Sequence, residues 1–297
     1  MTTTDVRGFH DTIELVSNTG IQKAQQRIDH MIVKSFLAGV LLSFGGLFLL
    51  TVGAGSTPLR QNLGPSIHKM IQAAVFPIGL VLVVMTGADL FTGNTMILIV
   101  STLHRKTTWL NLIVSWTVSF FGNLAGCLFF QCILVYYAGL LSNDPYRSFS
   151  VQLAEVKGNI EWHQLFLRGI GGNWLVCLAL WLATSARELH SKIIGIFLPI
   201  WLFVAVGYEH SIANMFTVQM GMMLGADLSI TKYILHVLIP VTLGNIIGGG
   251  FFVGFTYWYL YLAKTSNTST KTTVRFSTKD GYQVAKQHDN LDLSHQP

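Results

Sequence analysis

Apolar blocks of roughly 20 residues recur along this chain, and they restrict its fold more than any other feature. A helix of that length crosses a hydrocarbon core about 30 Å thick, and only 11% of the residues are charged. Polar side chains inside such blocks are costly, so they are candidates for function. The sequence therefore predicts an all-α integral membrane protein.

The blocks predict six spans, of which the second and fifth are broken, and the second is too long for one straight helix at 1.5 Å per residue. A polar cytoplasmic segment (residues 1–30) precedes the membrane domain (31–263), and a disordered cytoplasmic tail (264–297) follows it. A polar loop at 141–162 separates two parts of the domain, about 31–140 and 163–263. The spans are expected at about 34–51, 68–103, 109–140, 166–183, 193–224 and 234–263.

A short amphipathic helix is also expected within the first 30 residues. Its apolar positions recur at helical spacing, and they indicate a helix that lies on the membrane surface. These positions are Ile13, Val16, Ile21 and Ala24.

The two long spans are interrupted by the same polar pattern. Gly87 is followed by Asp89 and then by Asn94, and the same spacing of glycine, acid and asparagine recurs from Gly207 to Asn214. An acid and an amide inside an apolar run predict a break in the helix at a functional site.

The repetition continues in the third and sixth spans. Residues 122–126 read Gly-Asn-Leu-Ala-Gly, and residues 244–248 read Gly-Asn-Ile-Ile-Gly. Two three-span repeats with broken middle helices would be inverted relative to each other, and the two breaks would face each other near the midplane. The alternative interpretation is that Gly126 and Gly248 simply let helices pack closely.

Six spans place both termini on one side of the membrane. Basic residues are enriched on the cytoplasmic side of membrane proteins, so we expect the termini to be cytoplasmic. Thirteen of the 19 basic residues fall on that side, namely Arg7, Lys23, Arg27, Lys34, Arg105, Lys106, Arg187, Lys192, Lys264, Lys271, Arg275, Lys279 and Lys286.

Two kinds of side chain near the breaks are candidates for a pore. His210 lies beside a break and next to Glu209, and imidazole titrates near neutral pH, which favours a role in proton donation over simple packing. Apolar side chains could form collars that exclude hydrated ions, although each taken singly also fits a lipid-facing or core position. They are Phe76, Leu80, Leu90, Phe91, Val176 and Phe203.

These motifs resemble those of the formate/nitrite transporter family over about residues 20–263. The resemblance is carried by residues 89–94, by Gly-Tyr-Glu-His-Ser-Ile-Ala-Asn-Met at 207–215, by Asn173 in the stretch 172–179, and by Leu-Gly-Asn at 243–245. It implies an aquaporin-like fold, a homopentamer with one pore in each protomer, and transport of small monovalent anions such as formate, nitrite, lactate or hydrosulfide. Aquaporin itself is disfavoured because neither break contains Asn-Pro-Ala.

The resemblance also assigns roles to single residues. It places the central histidine at His210 and the threonine that hydrogen-bonds it at Thr92. Asn173 and Asn245 are further polar residues on the pore side. The cytoplasmic constriction falls on Leu80, Leu90 and Phe91, and the outer one on Phe76, Val176 and Phe203.

Two relays of lysine, acid and amide follow from the same resemblance. The outer relay comprises Lys157, Glu209 and Asn214, and the inner relay comprises Lys23, Asp89 and Asn94. The inner assignment rests on a Lys-Ala pair alone, so a solvated interfacial lysine is the alternative there.

The resemblance implies that a vestibule lysine attracts the anion, which then takes a proton from bulk water or His210 and crosses as the neutral acid. The wording of the motifs is most similar to fungal-type nitrite transporters of the plasma membrane. Nitrite is therefore the first candidate substrate and formate the second. The partners are the anion, protons, the bilayer and further copies of the chain, with no nucleic acid.

A membrane enzyme or a receptor is the remaining alternative. An enzyme would need a nucleophile or metal constellation, and the sequence contains no His-Glu-x-x-His pattern and no Gly-x-Ser-x-Gly elbow. A receptor more often carries a large domain outside the membrane. We expect neither a metal nor another cofactor.

Overall fold

A computed structural model describes residues 5–263, so the predicted disordered tail at 264–297 lies outside the described residues. Within this range six helices are long and apolar enough to cross a membrane, which confirms the predicted number of spans. Their bounds are Ile28–Gly55, Pro65–Thr86, Trp109–Tyr136, Trp162–Ser185, Leu189–Val206 and Ile230–Tyr261.

The first half of the chain forms helices α1 to α7. Proline begins α4 and α5 and stands second in α3, positions where its missing N–H costs no helical hydrogen bond. The helices are α1 (Phe9–Gln25), α2 (Ile28–Gly55), α3 (Thr57–Leu63), α4 (Pro65–Val75), α5 (Pro77–Thr86), α6 (Phe91–Leu103) and α7 (Trp109–Phe129), which continues as a π-helix to Tyr136.

The second half forms helices α8 to α14. Two π-helical segments, Tyr233–Leu238 and Gly250–Phe255, join the last three helices into one long span. The helices are α8 (Tyr146–Gly158), α9 (Trp162–Ser185), α10 (Leu189–Val206), α11 (Ser211–Met223), α12 (Ile230–Lys232), α13 (Ile239–Gly249) and α14 (Thr256–Tyr261).

The predicted polar loop at 141–162 is wrong for most of its length, because α8 occupies it. This helix buries its small residues Ser150 and Ala154 against α11, where a Cβ added at Gly221 would collide with both. The apolar content of α8 is low because its buried face is made of small side chains. The hydrophobic pattern therefore did not reveal it.

Helix α1 packs against the bundle, and its position at the membrane surface stays a prediction. Ile13 and Val16 are buried to 0% and 2% exposure. They belong to an apolar cluster with Met96 of α6 and Trp181 of α9. The apolar face of α1 packs against α6 and α9.

A short strap holds the N-terminal end of α1 in place. Val6 pairs with Ala186 as an isolated antiparallel bridge. On either side of that pair, the Arg7 amide donates to the Ser185 carbonyl at 2.9 Å, and the Arg187 amide donates to the Asp5 carbonyl at 3.0 Å. The residues before α1 are therefore joined to the connection between α9 and α10.

Glycines bring the spans of each half into close contact. A Cβ at Gly126 of α7 would collide with the Phe36 carbonyl of α2, and a Cβ at Gly248 of α13 would collide with the Ile170 carbonyl of α9. Small residues allow such backbone approach in membranes. The two Gly-Asn-x-x-Gly motifs therefore mark close packing as well as a repeat of contacts.

Candidate functional site

Both long spans break at a glycine in the left-handed conformation. Gly87 has φ +70° and ends α5, and Gly207 has φ +85° and ends α10. Residues with a Cβ rarely adopt these angles. After three further residues the helices resume at Phe91 and Ser211, so the breaks are short.

The first break is supported by Asn123 of α7. Its Oδ1 accepts from the Phe91 amide at 2.9 Å, and its Nδ2 donates to the carbonyls of Ser35 at 2.8 Å and Asp89 at 3.0 Å. Unpaired backbone groups are costly in the membrane, where water is scarce. The buried amide replaces the helical hydrogen bonds that the break removes.

The second break is supported in the same way by Asn245 of α13. Its Oδ1 accepts from the Ser211 amide at 2.8 Å, and its Nδ2 donates to the carbonyls of Gly169 at 2.8 Å and Glu209 at 3.1 Å. The sequence analysis assigned Asn245 to the pore side. The structure places it, fully buried, as the support of the break.

The two breaks meet through His210 and Thr92. His210 Nε2 lies 2.8 Å from Thr92 Oγ1, and His210 Nδ1 accepts the Ala213 amide at 3.1 Å. Because Nδ1 is an acceptor, the hydrogen of a neutral imidazole lies on Nε2, which therefore donates to the threonine. Both side chains are buried, at 3% and 0% exposure.

Asn173 of α9 fixes the backbone around this contact. Its Nδ2 lies 3.2 Å from the Thr92 carbonyl, 2.9 Å from Thr95 Oγ1 and 2.6 Å from the Asn245 carbonyl. The side chain is fully buried. Asn173 thus connects the first break to the helix that supports the second.

The outer relay is a closed set of three hydrogen bonds. Lys157 Nζ donates to Glu209 Oε2 and to Asn214 Oδ1, both at 2.7 Å, and Asn214 Nδ2 donates to Glu209 Oε2 at 2.9 Å. Lys157 lies on α8, the helix that the sequence analysis missed. The buried carboxylate is thus paired with a cation and an amide.

The inner relay has a different set of bonds. Lys23 Nζ donates to Asp89 Oδ1 at 2.6 Å, and Asn94 Nδ2 donates to the same oxygen at 2.7 Å. Gln26 Nε2 donates to Asp89 Oδ2 at 2.8 Å. Asn94 Oδ1 has no hydrogen-bond partner among residues 5–263, so Lys23 does not bridge acid and amide as Lys157 does.

A cavity of about 630 Å³ adjoins the inner relay. It is lined by Leu80 and Leu90 together with basic side chains, and Asp89 is its acidic residue. Such a surface attracts anions. Sequence reasoning identified Lys23 there but missed the other lining cations, because the folded chain gathers them from separate segments, at Arg7, Lys34 and Lys192.

The other apolar candidates differ in how close they lie to the histidine. The rings of Phe76 and Phe203 are 6.0 Å apart edge to face, and Phe203 lies 6.1 Å from the His210 ring. Val176 is buried at 2% exposure. Phe91 packs against α7, with its ring 5.2 Å from Phe120, and does not line the cavity.

A metal centre is not a feature of the described chain. Residues 5–263 contain no group of three or more histidine, cysteine, aspartate or glutamate side chains that could hold a metal ion.

Two helix breaks, a buried imidazole where they meet, and a relay of lysine, acid and amide beside each break are consistent with a membrane transport protein for small anions. A family model described as "Formate/nitrite transporter" matches residues 10–259, and the chain belongs to this family. It is therefore a transport protein rather than an enzyme.

Individual relatives support the same family. The chain is 39% identical over 266 residues to a "Probable formate transporter" of Methanothermobacter thermautotrophicus, covering 85% of this chain and 96% of the relative. A solved "FNT family ion channel" matches with a TM-score of 0.77 at 30% identity, covering 84% and 98%. A "Pentameric formate channel with formate bound" matches with a TM-score of 0.68 at 33% identity, covering 79% and 98%.

Proposed function

We propose that this protein carries a small monovalent weak-acid anion together with a proton, through a pore between the two breaks of each chain. The contact of His210 with Thr92 carries this proposal, since it places a hydrogen-bond donor beside the Phe76 and Phe203 rings at the meeting point of the breaks. The acids of the two relays lie in the breaks, and their amides lie on the helices that follow, α6 and α11.

The first step is attraction of the anion. Lys23 and the other basic side chains of the inner cavity raise the local anion concentration, and Lys157 does the same at the outer relay. Each lysine is paired with an acid, which prevents the anion from binding too tightly to leave. The vestibules therefore concentrate the substrate without trapping it.

The second step is neutralisation of the anion. An ion that enters apolar surroundings loses hydration, which raises the pKa of a weak acid and favours its protonated form. The aromatic pair of Phe76 and Phe203 supplies such surroundings. The neutral acid then crosses, whereas the anion of a strong acid stays charged and is excluded.

The proton has two possible sources, bulk water and His210. A neutral His210 that gave up its Nε2 hydrogen would become an imidazolate unless Nδ1 were protonated first. Protonation of Nδ1 would break its bond to the Ala213 amide. We therefore assign the supply of protons to bulk water. We assign to His210 the role of hydrogen-bond donor to the passing anion, which replaces Thr92 Oγ1 as the acceptor at Nε2.

Nitrite and formate are the two substrates proposed. Nitrite is the substrate indicated by the motifs of the sequence, and formate is supported by the names of the archaeal relative and of the pentameric channel. Both are small, monovalent and conjugate to weak acids.

The assembly and placement that we propose follow the same relatives. A homopentamer is supported by the solved pentameric channel. Cytoplasmic termini are supported by the predominance of basic residues on that side, and a plasma-membrane location by the resemblance of the motifs. The inversion of the second repeat also remains a prediction.

Flux measurements in proteoliposomes test the function. We expect labelled nitrite and formate to accumulate faster at pH 6 than at pH 8 and to respond to an imposed pH gradient. Nitrate and chloride, whose acids are strong, should pass poorly. Equal rates for chloride and nitrite would overturn the proton step, and absence of flux for both weak acids would overturn the function.

A further inference from the structure

Lys69 and Arg168 are charged side chains inside membrane spans, and the mechanism proposed above uses neither. Lys69 is the only lysine, arginine, aspartate or glutamate in the span Pro65–Thr86, and Arg168 is the only one in Trp162–Ser185. They lie about 6 and 9 Å from the first residue of their spans, at 1.5 Å per residue. A charge inside a span is costly, so it usually has a partner or faces a water-filled cavity.

Neither cation has a partner within residues 5–263. In that range no acidic side chain forms an ion pair with Lys69 or Arg168, and neither side chain donates a hydrogen bond. Lys157 differs from both, because it is held by Glu209 and Asn214. The charges of Lys69 and Arg168 are therefore available to a ligand.

Lys69 lies on the face of its helix that carries Phe76 of the aromatic pair. It precedes Phe76 by two helical turns, so both side chains leave the helix on the same side, about 10 Å apart along the axis. The Phe76 ring meets Phe203, and a Cβ added at Gly207, one turn beyond Phe203, would lie 2.9 Å from Lys69 Nζ. The ammonium group therefore lies beside the second break, on the outer side of the aromatic pair.

Arg168 approaches the same break from α9. Its carbonyl accepts from the Glu209 amide at 3.2 Å. A Cβ at Gly172 would collide with the Glu209 carbonyl, and a Cβ at Gly171 would collide with the Tyr208 ring. Arg168 lies four residues before Gly172 and three before Gly171, so its side chain leaves α9 on the side that faces the second break.

The backbone of the second break has no amide left for an anion. The amides of residues 207–209 donate to the carbonyls of Val204, Phe203 and Arg168, respectively. An anion at this break is therefore bound through side chains. A guanidinium group offers two parallel N–H donors, which match the two oxygens of nitrite or formate, and an ammonium group adds a point charge.

We propose that Lys69 and Arg168, here called the capture pair, bind the anion at the outer entrance before it reaches the aromatic pair and His210. This inference rests on the function proposed above and adds a binding step to the path. Lys157 stays engaged with Glu209 while the capture pair holds the anion. The outer side thus gathers anions with cations from two separate spans.

Initial rates of nitrite uptake by cells that express the full chain test the capture pair, since external nitrite meets the outer entrance first. At low ionic strength, Lys69→Gln and Arg168→Gln should each raise the half-maximal nitrite concentration about threefold, and the double variant about tenfold. The maximal rate should stay within about twofold of wild type, because the pair acts before the aromatic pair. Salt at about 0.5 M, added as gluconate at constant osmolarity, should shrink these differences by screening the charges.

Lys232→Gln is the matched control for the loss of one positive charge. Lys232 lies near the start of the last span, and its Nζ donates to Asn159 at 2.9 Å instead of approaching the second break. Its half-maximal concentration should stay within about 1.5-fold of wild type, because the charge is distant and screened. Lys69→Arg keeps the charge and should also be close to wild type, and Arg168→Lys should change less than Arg168→Gln.

Unchanged half-maximal concentrations in both glutamine variants, or an equal rise in Lys232→Gln, would overturn the capture pair. So would a lower thermal unfolding temperature of Lys69→Gln with an unchanged half-maximal concentration, the result expected if Lys69 only stabilises the C-terminal end of α10. If Arg168→Gln fails to assemble, Lys69→Gln and Arg168→Lys decide. Absence of nitrite and formate uptake by the wild type, relative to cells without the chain, would instead overturn the proposed function and the capture pair with it.

Discussion

The two breaks share a backbone frame and differ in the side chains that it carries. The supporting amides, Asn123 and Asn245, each make one bond to the amide that begins the new helix and two to neighbouring carbonyls. Directly after the acid, however, the first break has Leu90 where the second has His210. The backbone frame is thus the same in both breaks, and their chemistry differs because a few side chains differ.

The two breaks contribute complementary side chains to the central contact. The third residue after the acid is Thr92 in the first break and Ile212 in the second, so one break supplies the hydroxyl and the other the imidazole. Neither half contains both groups. A half of this chain therefore cannot form the central contact alone.

The largest effect is expected from removal of a supporting amide. Asn123→Leu and Asn245→Leu each leave two buried backbone groups of a break unpaired, one amide and one carbonyl, at about 1–3 kcal/mol for each group, so either variant should lose at least ~2 kcal/mol of stability. The thermal unfolding temperature of the detergent-purified protein measures this loss.

Ile246→Leu is the control for this pair, since it exchanges side chains of similar volume beside Asn245 and should cost less than ~1.5 kcal/mol. If only one of the two amide variants is unstable, the breaks are not equally dependent on their supports. Wild-type unfolding temperatures for both would remove the structural role given to these amides.

The next effect is expected at the imidazole. His210→Asn keeps a polar side chain, but it removes the Nε2 donor, which we assign to the passing anion. A hydrogen bond to a charged group contributes about 1.5–3 kcal/mol, so proton-coupled nitrite uptake should fall by ~10-fold or more in an assembled protein.

Phe203→Ala is the matched control, because it widens the aromatic pair without changing His210. It should admit larger anions while uptake still depends on the pH gradient. If His210→Asn transports nitrite at the wild-type rate and with the wild-type pH dependence, His210 is a packing residue.

A smaller effect is expected at the relay lysines. Lys157→Ala removes a charge worth ~1 kcal/mol in a hydrated vestibule, so the nitrite concentration for half-maximal uptake from the outer side should rise about fivefold. Lys23→Ala should raise it less on the inner side, because Gln26 still binds Asp89. Unchanged half-maximal nitrite concentrations in both variants would contradict the attraction of anions by these residues. Lys157→Arg keeps the charge, so its half-maximal concentration should be close to that of the wild type.

The smallest effect is expected at the residue that distinguishes the inner relay. Gln26→Ala removes one neutral donor to Asp89 and leaves the charge of Lys23 in place, so it should weaken the attraction for the anion by only about 0.5 kcal/mol. Half-maximal concentration for transport from the cytoplasmic side should change by less than ~3-fold, with no change from the outer side. A larger change there than in Lys23→Ala would show that Gln26, rather than the lysine, dominates this relay.

Much of this arrangement was visible in the sequence because it depends on residue types at fixed spacing. Gly87 and Gly207 mark the breaks because few other residues adopt positive φ, and an acid inside an apolar block stands out against its neighbours. The spans follow from length and composition. Those features are local, so they can be identified without knowledge of the fold.

Other parts of the site depend on contacts between distant segments. Gln26 binds Asp89 across 63 positions of sequence, and nothing in its own surroundings distinguishes it from a solvated glutamine. Helix α8 is missed for a related reason, since its buried face consists of small residues such as Ser150 and Ala154.

The strap between residues 5–7 and 184–187 has a consequence for biosynthesis. The partners of Asp5 and Arg7 are separated from them by about 180 residues of sequence, so they emerge from the ribosome only after four spans have been made. Helix α1 cannot reach its final position before that time. Helix α1 therefore takes its final position late in assembly. The inner relay needs Lys23 on that helix, so it is completed late as well.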